Sequence, residues 1–248
     1  MEKYWHSVTL EKDLCKGCTN CLKLWPTQAI RVQGGKAKIL KERCIDCGEC
    51  IRVCPYHAKK AVTDDFSLLD NYKYNIALIA PAFYGQFSVA EDIDVILTAV
   101  TESGFDDVFE VAWGARIVSE KTRELLASGE LLKPCISSAC PAVLRLIAVK
   151  FPNLVGNIIP LRSPMEVSAA EARKRAAEKT GLDSSEIGVF FIYSVCPHVA
   201  VSSYIHPCPE NVEILLFYVC LYNNTVRSVD SDRILYICIA VFSNIENH

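Results

Sequence analysis

Seven cysteines stand in two runs near the start of the chain, Cys15-x2-Cys18-x2-Cys21 and Cys44-x2-Cys47-x2-Cys50-x3-Cys54-Pro55. No other feature restricts the fold as tightly, because sulfurs spaced in this way converge on something they can bind. The second run has the bacterial spacing for cubane iron–sulfur clusters, in which the fourth ligand of each cluster comes from the other run. Crossed ligation assigns Cys15, Cys18, Cys21 and Cys54 to one 4Fe-4S cluster. The second cluster is left with Cys44, Cys47 and Cys50, because the position before Pro26 that should supply its last sulfur is Trp25. Indole cannot ligate iron. Three thiolates hold a 3Fe-4S cluster, or a labile 4Fe-4S cluster whose last iron takes water or a foreign ligand, or the site is empty. The expectation is an intact first cluster and a second that is altered, labile or lost.

Two other chemistries use clustered cysteines. A zinc site pairs its ligands across a loop rather than grouping them in triplets. A disulfide framework belongs to oxidising compartments and small secreted domains. The first ten residues include Glu2, Lys3 and His6 and no apolar core of a signal peptide, so a reduced, cytoplasmic location is expected. From Cys15 to Val62 the chain resembles a two-cluster bacterial ferredoxin. Its internal duplication is visible as Cys-Lys-Gly-Cys-Thr-Asn-Cys against Cys-Ile-Asp-Cys-Gly-Glu-Cys. Trp25 is the departure from that family's ligand set.

The charge is unevenly distributed. Residues 1–63 carry 12 Lys/Arg and 6 Asp/Glu, whereas the rest of the 248-residue chain carries 14 and 23. A positive module offsets the negative charge of a thiolate-ligated cluster and steers an acidic redox protein partner, unless it is simply a solvated basic face. No aromatic-interleaved basic stripe or nucleic-acid motif occurs, so no nucleic-acid partner is expected. The longest late apolar runs, Ile214 to Tyr222 and Ile234 to Phe242, are about half the roughly 20 residues of a membrane-spanning helix, so no membrane insertion is expected. Oligomeric state is not readable from the sequence.

Beyond a polar, acidic linker at residues 64–74, the pattern changes to alternating strands and helices. Asn75–Ala80 reads as a buried strand. Ser88 reads as the cap of a helix carrying Val89, Ile93, Ile96, Leu97 and Val100, with Glu91 completing a capping box. Phe105–Ala112 reads as a strand, Ala115–Ser128 as a helix stopped by Gly129, and Lys133–Ala139 as an extended segment. Ala142–Lys150 and Pro164–Thr180 read as helices, the latter ended by Gly181, and Ile187–Tyr193 as a further strand. Such alternation predicts a mainly parallel α/β sheet.

Three segments of this part, Ala80-Pro81-Ala82-Phe83, Pro134-Cys135-Ile136-Ser137-Ser138-Ala139-Cys140-Pro141 and Arg162-Ser163-Pro164-Met165, look like the first half of the catalytic domain of iron-only hydrogenases. That family often carries ferredoxin modules ahead of the domain. The resemblance implies a small α+β ferredoxin domain at 1–63 and an incomplete α/β domain of hydrogenase type at 75–192. It also implies that Cys140 is a remnant ligand of the four-iron part of the hydrogen-activating cluster. The residue before it, usually a proton-relaying cysteine, is Ala139, which has no titratable proton. That substitution marks sensory members of the family. The next ligand motif, Pro-Cys-x-x-Lys, is replaced by Val195-Cys196-Pro197-His198, and no downstream Gly-rich cysteine segment follows.

From Tyr193 the composition shifts. The last Gly is Gly188 and the last Lys is Lys179. Average usage would give about four Gly in that length. Residues 193–248 are therefore expected to be a tail of unassigned, out-of-frame origin, the alternative being a divergent native terminus. Cys196, Cys208, Cys220 and Cys238 have no recognisable ligand spacing, and His198 and His206 are read as non-ligands. Cys135, Trp5 and Trp113 are read as packing residues. Three functions compete: iron–sulfur binding with single-electron transfer, hydrogen chemistry or sensing by an iron-only hydrogenase, and a defunct remnant.

Overall fold

The computed structural model describes residues 7–23, 26–61, 66–85, 87, 92–194 and 212–217. Trp5, Trp25, Ser88, Glu91 and the four tail cysteines lie outside them. The described chain forms two compact units, one built from residues 7–61 with 122–161, the other from 66–121, 162–194 and 212–217.

The first unit is built on the sequence duplication. β1 (Val8–Leu10) pairs antiparallel with β4 (Lys59–Ala61), and β2 (Ile30–Gln33) pairs with β3 (Lys36–Ile39). Gly34 and Gly35 close the second pair with positive φ at both residues, the geometry a two-residue hairpin demands. A short helix, α1 (Glu49–Arg52), follows Cys47. Val8, Ile30, Ala37, Ile51 and Ala58 pack with Cys15 and Cys50 into one small core. So small a core gains much from a bound metal group. This unit also takes in α5 (Pro141–Lys150), described below.

The second unit is a parallel sheet between helices. β5 (Tyr74–Ile79) leads through α2 (Pro81–Tyr84) and α3 (Ile93–Glu102) to β6 (Asp107–Glu110), and α4 (Val111–Ser128) follows at once. Beyond α5, which belongs to the first unit, come α6 (Pro164–Thr180), β7 (Ile187–Ser194) and β8 (Val212–Phe217). The strand order is β6-β5-β7-β8, with every pair parallel. Ile76 and Leu78 of β5 enter the core beneath α6, while Ala77 and Ile79 enter the one shared with α3. Both faces are covered, which is why the strand reads as an uninterrupted apolar run. Each such buried Ile or Leu stabilises the fold by about 1.5–3 kcal/mol.

Helix α6 shows how local chemistry sets an element. Ser163 and Glu166 form a reciprocal capping box, Pro164 occupies the first turn, and Gly181 ends the helix at φ 71°. Met165, Ala169, Ala172 and Ala176 form its buried stripe. Small residues let α4 approach: a Cβ on Gly114 would collide with the Pro164 carbonyl oxygen, and the Gly114 amide donates to Ser168 Oγ at 3.0 Å.

Several boundaries differ from the sequence reading. The strand expected over Phe105–Ala112 ends at Glu110, because Val111 already starts α4. Lys133–Ala139 makes a single bridge, Ile136 to Ile158, rather than a strand. Asp92 caps α3, its side chain accepting from the Asp94 amide. Residues 66–71 of the expected linker form a 3-10 turn whose Leu69 is buried in the sheet core. Within the tail, residues 212–217 add a strand beside β7.

Candidate metal centre

The two cysteine runs fold into loops of the same backbone shape. Gly17 and Thr19 in the first have positive φ, as do Asp46 and Gly48 in the second, each 29 residues later. Gln28 and His57 repeat the match beyond the loops. Left-handed residues alternating with right-handed ones turn successive amides inward, and such concavities bind anions, iron–sulfur clusters among them. A non-glycine residue pays strain for this conformation, so Thr19, Gln28, Asp46 and His57 hold it only where the surroundings compel it. Gly17 needs its missing side chain as well, since a Cβ there would strike the Gly35 carbonyl oxygen.

Cys15, Cys18, Cys21 and Cys54 line one hollow, together with Lys16, Gly17, Ala37, Tyr56 and Lys59. Cys15 is buried, Cys21 and Cys54 are half-buried, and Cys18 is exposed. The Ala37 amide donates to Cys15 Sγ at 3.4 Å and the Ala58 amide to Cys54 Sγ at 3.3 Å. Burial alone would raise the Cys15 thiol. The amides of Ala37 and Gly17 and the ammonium groups of Lys59 and Lys36 outweigh it and bring the group below its ordinary value. Burial raises Cys21, against the pull of Lys59.

Cys44, Cys47 and Cys50 form the second trio. Burial pushes Cys44 up to about 12, and the Asp46 carboxylate beside it adds to the effect. Burial likewise pushes Cys50 up to about 12, with Lys59 opposing it. Cys47 is raised by burial too. The first trio therefore contains a thiol biased toward the ligating thiolate, and the second contains none.

An orphaned charge bears on what group these residues fit. Lys59 is 2% exposed, and its Nζ has no hydrogen-bond partner among the described residues. An isolated buried ammonium costs several kcal/mol, so the hollow suits an anion. A thiolate-ligated iron–sulfur cluster is one. Among the described residues, no three His, Cys, Asp or Glu side chains stand close enough to hold a single metal ion. A cubane asks for a different arrangement, because each of its four thiolates binds a separate iron.

Cys140 is placed apart from both trios in sequence, as the exposed residue preceding α5, with an extended backbone and Pro141 after it. Cys135, expected to be buried, is half-exposed, with its thiol 3.4 Å from the Leu132 carbonyl. Trp113 does pack: its ring meets Phe109 edge-on at 5.9 Å and lies 5.1 Å from the Arg175 guanidinium carbon.

Residues 73–196 match the model of the iron only hydrogenase large subunit, C-terminal domain, and residues 7–55 that of the 4Fe-4S dicluster domain. This chain belongs to the iron-only hydrogenase large-subunit family. Its ferredoxin-like part is a 4Fe-4S cluster-binding, electron-transfer domain. The hydrogenase-like part is an incomplete α/β domain of that family, with a parallel sheet.

The NADP-reducing hydrogenase subunit HndD of Solidesulfovibrio fructosivorans is 23% identical over 181 residues, which cover 63% of this chain and 30% of that protein. Iron hydrogenase 1 of Clostridium pasteurianum is 28% identical over 135 residues, covering 50% of this chain and 23% of that one. Among solved structures, an apo FeFe-hydrogenase from Chlamydomonas reinhardtii aligns with a TM-score of 0.39 at 23% identity, over 48% of this chain and 33% of the other. The chain thus spans a third or less of the hydrogenases it matches. Among the described residues, no helix is long and apolar enough to cross a membrane.

Two elements of the site were not foreseen. Nothing in the pair Lys59-Lys60 says which lysine points inward. The other is Arg145, whose ion pair with Asp46 spans nearly a hundred residues of sequence and leaves no local signal.

Proposed function

We propose that this chain carries single electrons through a 4Fe-4S cluster held by Cys15, Cys18, Cys21 and Cys54, and passes them to or from a redox protein partner. The observation that carries this reading is the hollow lined by those four side chains and the unpartnered Lys59 ammonium. When bound, the cluster supplies a one-electron couple. The protein's part is to hold it, donate amide hydrogen bonds to Cys15 and Cys54, and set its electrostatic surroundings.

Cys44, Cys47 and Cys50 are read as an incomplete second site, of three-iron or labile four-iron type. The absence of sulfur at position 25 supports it. The hydrogenase-like half is read as a sensory or docking module. Ala139 supports this, because it stands where the family's relay cysteine would be. Residues 193–248 are read as foreign to the family frame on their shift of composition, although the family match reaches residue 196.

Protein purified without air is expected to carry an iron–sulfur cluster with a reduced cubane signal in electron paramagnetic resonance, and a three-iron signal when oxidised if the second site fills. Zinc, or no metal at the first trio, would overturn the assignment. Hydrogen turnover after treatment with the maturation machinery would instead favour the enzymatic alternative.

Trp25→Cys tests the second site. It restores the missing sulfur, so about four irons per chain should fill that site as a complete cubane. The check is iron content together with a second, interacting reduced signal. An unchanged iron content would contradict the crossed assignment.

A further inference from the structure

The duplication gives Lys59 a structural counterpart. Residues 29 apart share backbone conformation through both cysteine loops, and the same offset relates Lys59, at the start of β4, to Ile30, at the start of β2. Ile30 is fully buried in the core of the unit. Lys59 is buried almost as completely, so a cation occupies what the other half makes an apolar core position. Strand β4 holds it there by pairing Lys59 with Leu10 of β1. The side chain lines the first hollow with Cys15, Cys18, Cys21 and Cys54, and its Nζ finds no partner among the described residues.

Building on the electron-carrier reading, we propose that Lys59 is the internal counter-cation of the iron–sulfur centre and sets its reduction potential. A thiolate-ligated cluster is anionic, and the electron it receives from a one-electron donor adds one more negative charge. A fixed positive charge beside it favours the reduced form and raises the potential, since net charge and solvent exposure are two of the levers on such clusters. Burial makes the charge effective. Exposed lysines, such as Lys16 on the same hollow, act through water and are screened by salt. Lys59 also acts electrostatically on Cys15 and Cys21 of one trio and on Cys50 of the other. Its charge therefore reaches both cysteine runs.

Two variants of the full chain test the assignment. Lys59→Met keeps most of the stem and removes the charge, and Lys59→Arg keeps the charge. Iron per chain is measured, and the reduced signal is followed by electron paramagnetic resonance across a series of poised potentials. Both variants should bind wild-type iron. In Lys59→Met the reduced-to-oxidised ratio at the wild-type midpoint should fall at least tenfold, a shift of about 59 mV to lower potential for a one-electron couple. Lys59→Arg should stay close to the wild-type midpoint.

A loaded Lys59→Met protein with the wild-type midpoint overturns the proposal, as does an Arg variant that shifts as far as the Met variant. If Met loses iron while Arg retains it, the cation serves loading rather than the potential of a bound cluster, which overturns the proposal. Loss of iron from both overturns it, because the position then demands the shape of lysine rather than its charge. A wild-type chain without iron defeats the carrier reading and this proposal together. A loaded wild type with an unmoved Met variant defeats this proposal alone.

Discussion

Cys54→Ala should strip the first trio of its cluster while leaving the second trio no worse than before. The expected loss is about four irons per chain, with disappearance of the reduced cubane signal. The prediction is selective because Cys54 follows Cys50 closely in sequence yet lines the hollow of Cys15, Cys18 and Cys21. If the runs bound independently, Cys54 would complete the set of Cys44, Cys47 and Cys50, and its removal would spare the first cluster. Retention of the cubane signal in this variant would therefore defeat the crossed assignment. Stability should follow the metal, because binding free energy at such a site is also folding free energy. The core around it, with Val8, Ile30 and Ile51 as its largest members, is small. A lower denaturation midpoint should therefore accompany the iron loss. An Ala variant at Cys140, which lies in neither trio, should keep its iron.

What the sequence made legible was local. The cysteine spacings carried the loops, and the repeated motif carried their duplication down to matched left-handed residues. Ser163, Glu166 and Gly181 announced both ends of α6, because capping chemistry is read within a few residues of the chain. The strands β5 and β7 were visible as apolar runs, because burial on both faces removes polar alternation. What stayed hidden depended on distant partners. Val111 belongs to a Val-Phe-Glu-Val run of strand-like composition, yet it begins a helix whose Gly114 must reach α6. Lys59 carries no sequence mark of its burial, because a lysine reads as buried only once a cavity is placed around it. The short turn at Phe66–Asn71 reads as linker by its polarity, but Phe66 stacks edge-on with Phe105 at 5.8 Å and Leu69 fills the core.

Arg145→Leu should destabilise the protein by about 3–5 kcal/mol, the cost of leaving a buried charge without its partner. Arg145 and Asp46 are each 5% exposed at the side chain and lie 3.1 Å apart. Arg145 Nη2 also donates to the Lys41 carbonyl at 3.0 Å, so α5 grips the residues just before Cys44 as well as the loop after it. Asp46 accepts from the Ser7 amide at 3.1 Å and from Cys44 Sγ at 3.4 Å, in a left-handed conformation with φ 51°. Without the guanidinium, an uncompensated carboxylate would face a thiol that must become a thiolate to bind iron. The same change should therefore weaken iron retention at Cys44, Cys47 and Cys50 more than at the first trio.

Asp46→Asn separates the two effects. Asparagine tolerates the left-handed backbone and can still accept from Ser7, so the double variant Asp46→Asn/Arg145→Leu should recover much of the lost stability. Chemical denaturation of the single and double variants measures the coupling. A single variant within about 0.5 kcal/mol of wild type, the range of ordinary surface changes, would show that this ion pair does not hold α5 to the cysteine loop. The helix that begins just after Cys140 would then be held by its apolar face alone, through Ala142, Leu144 and Ile147.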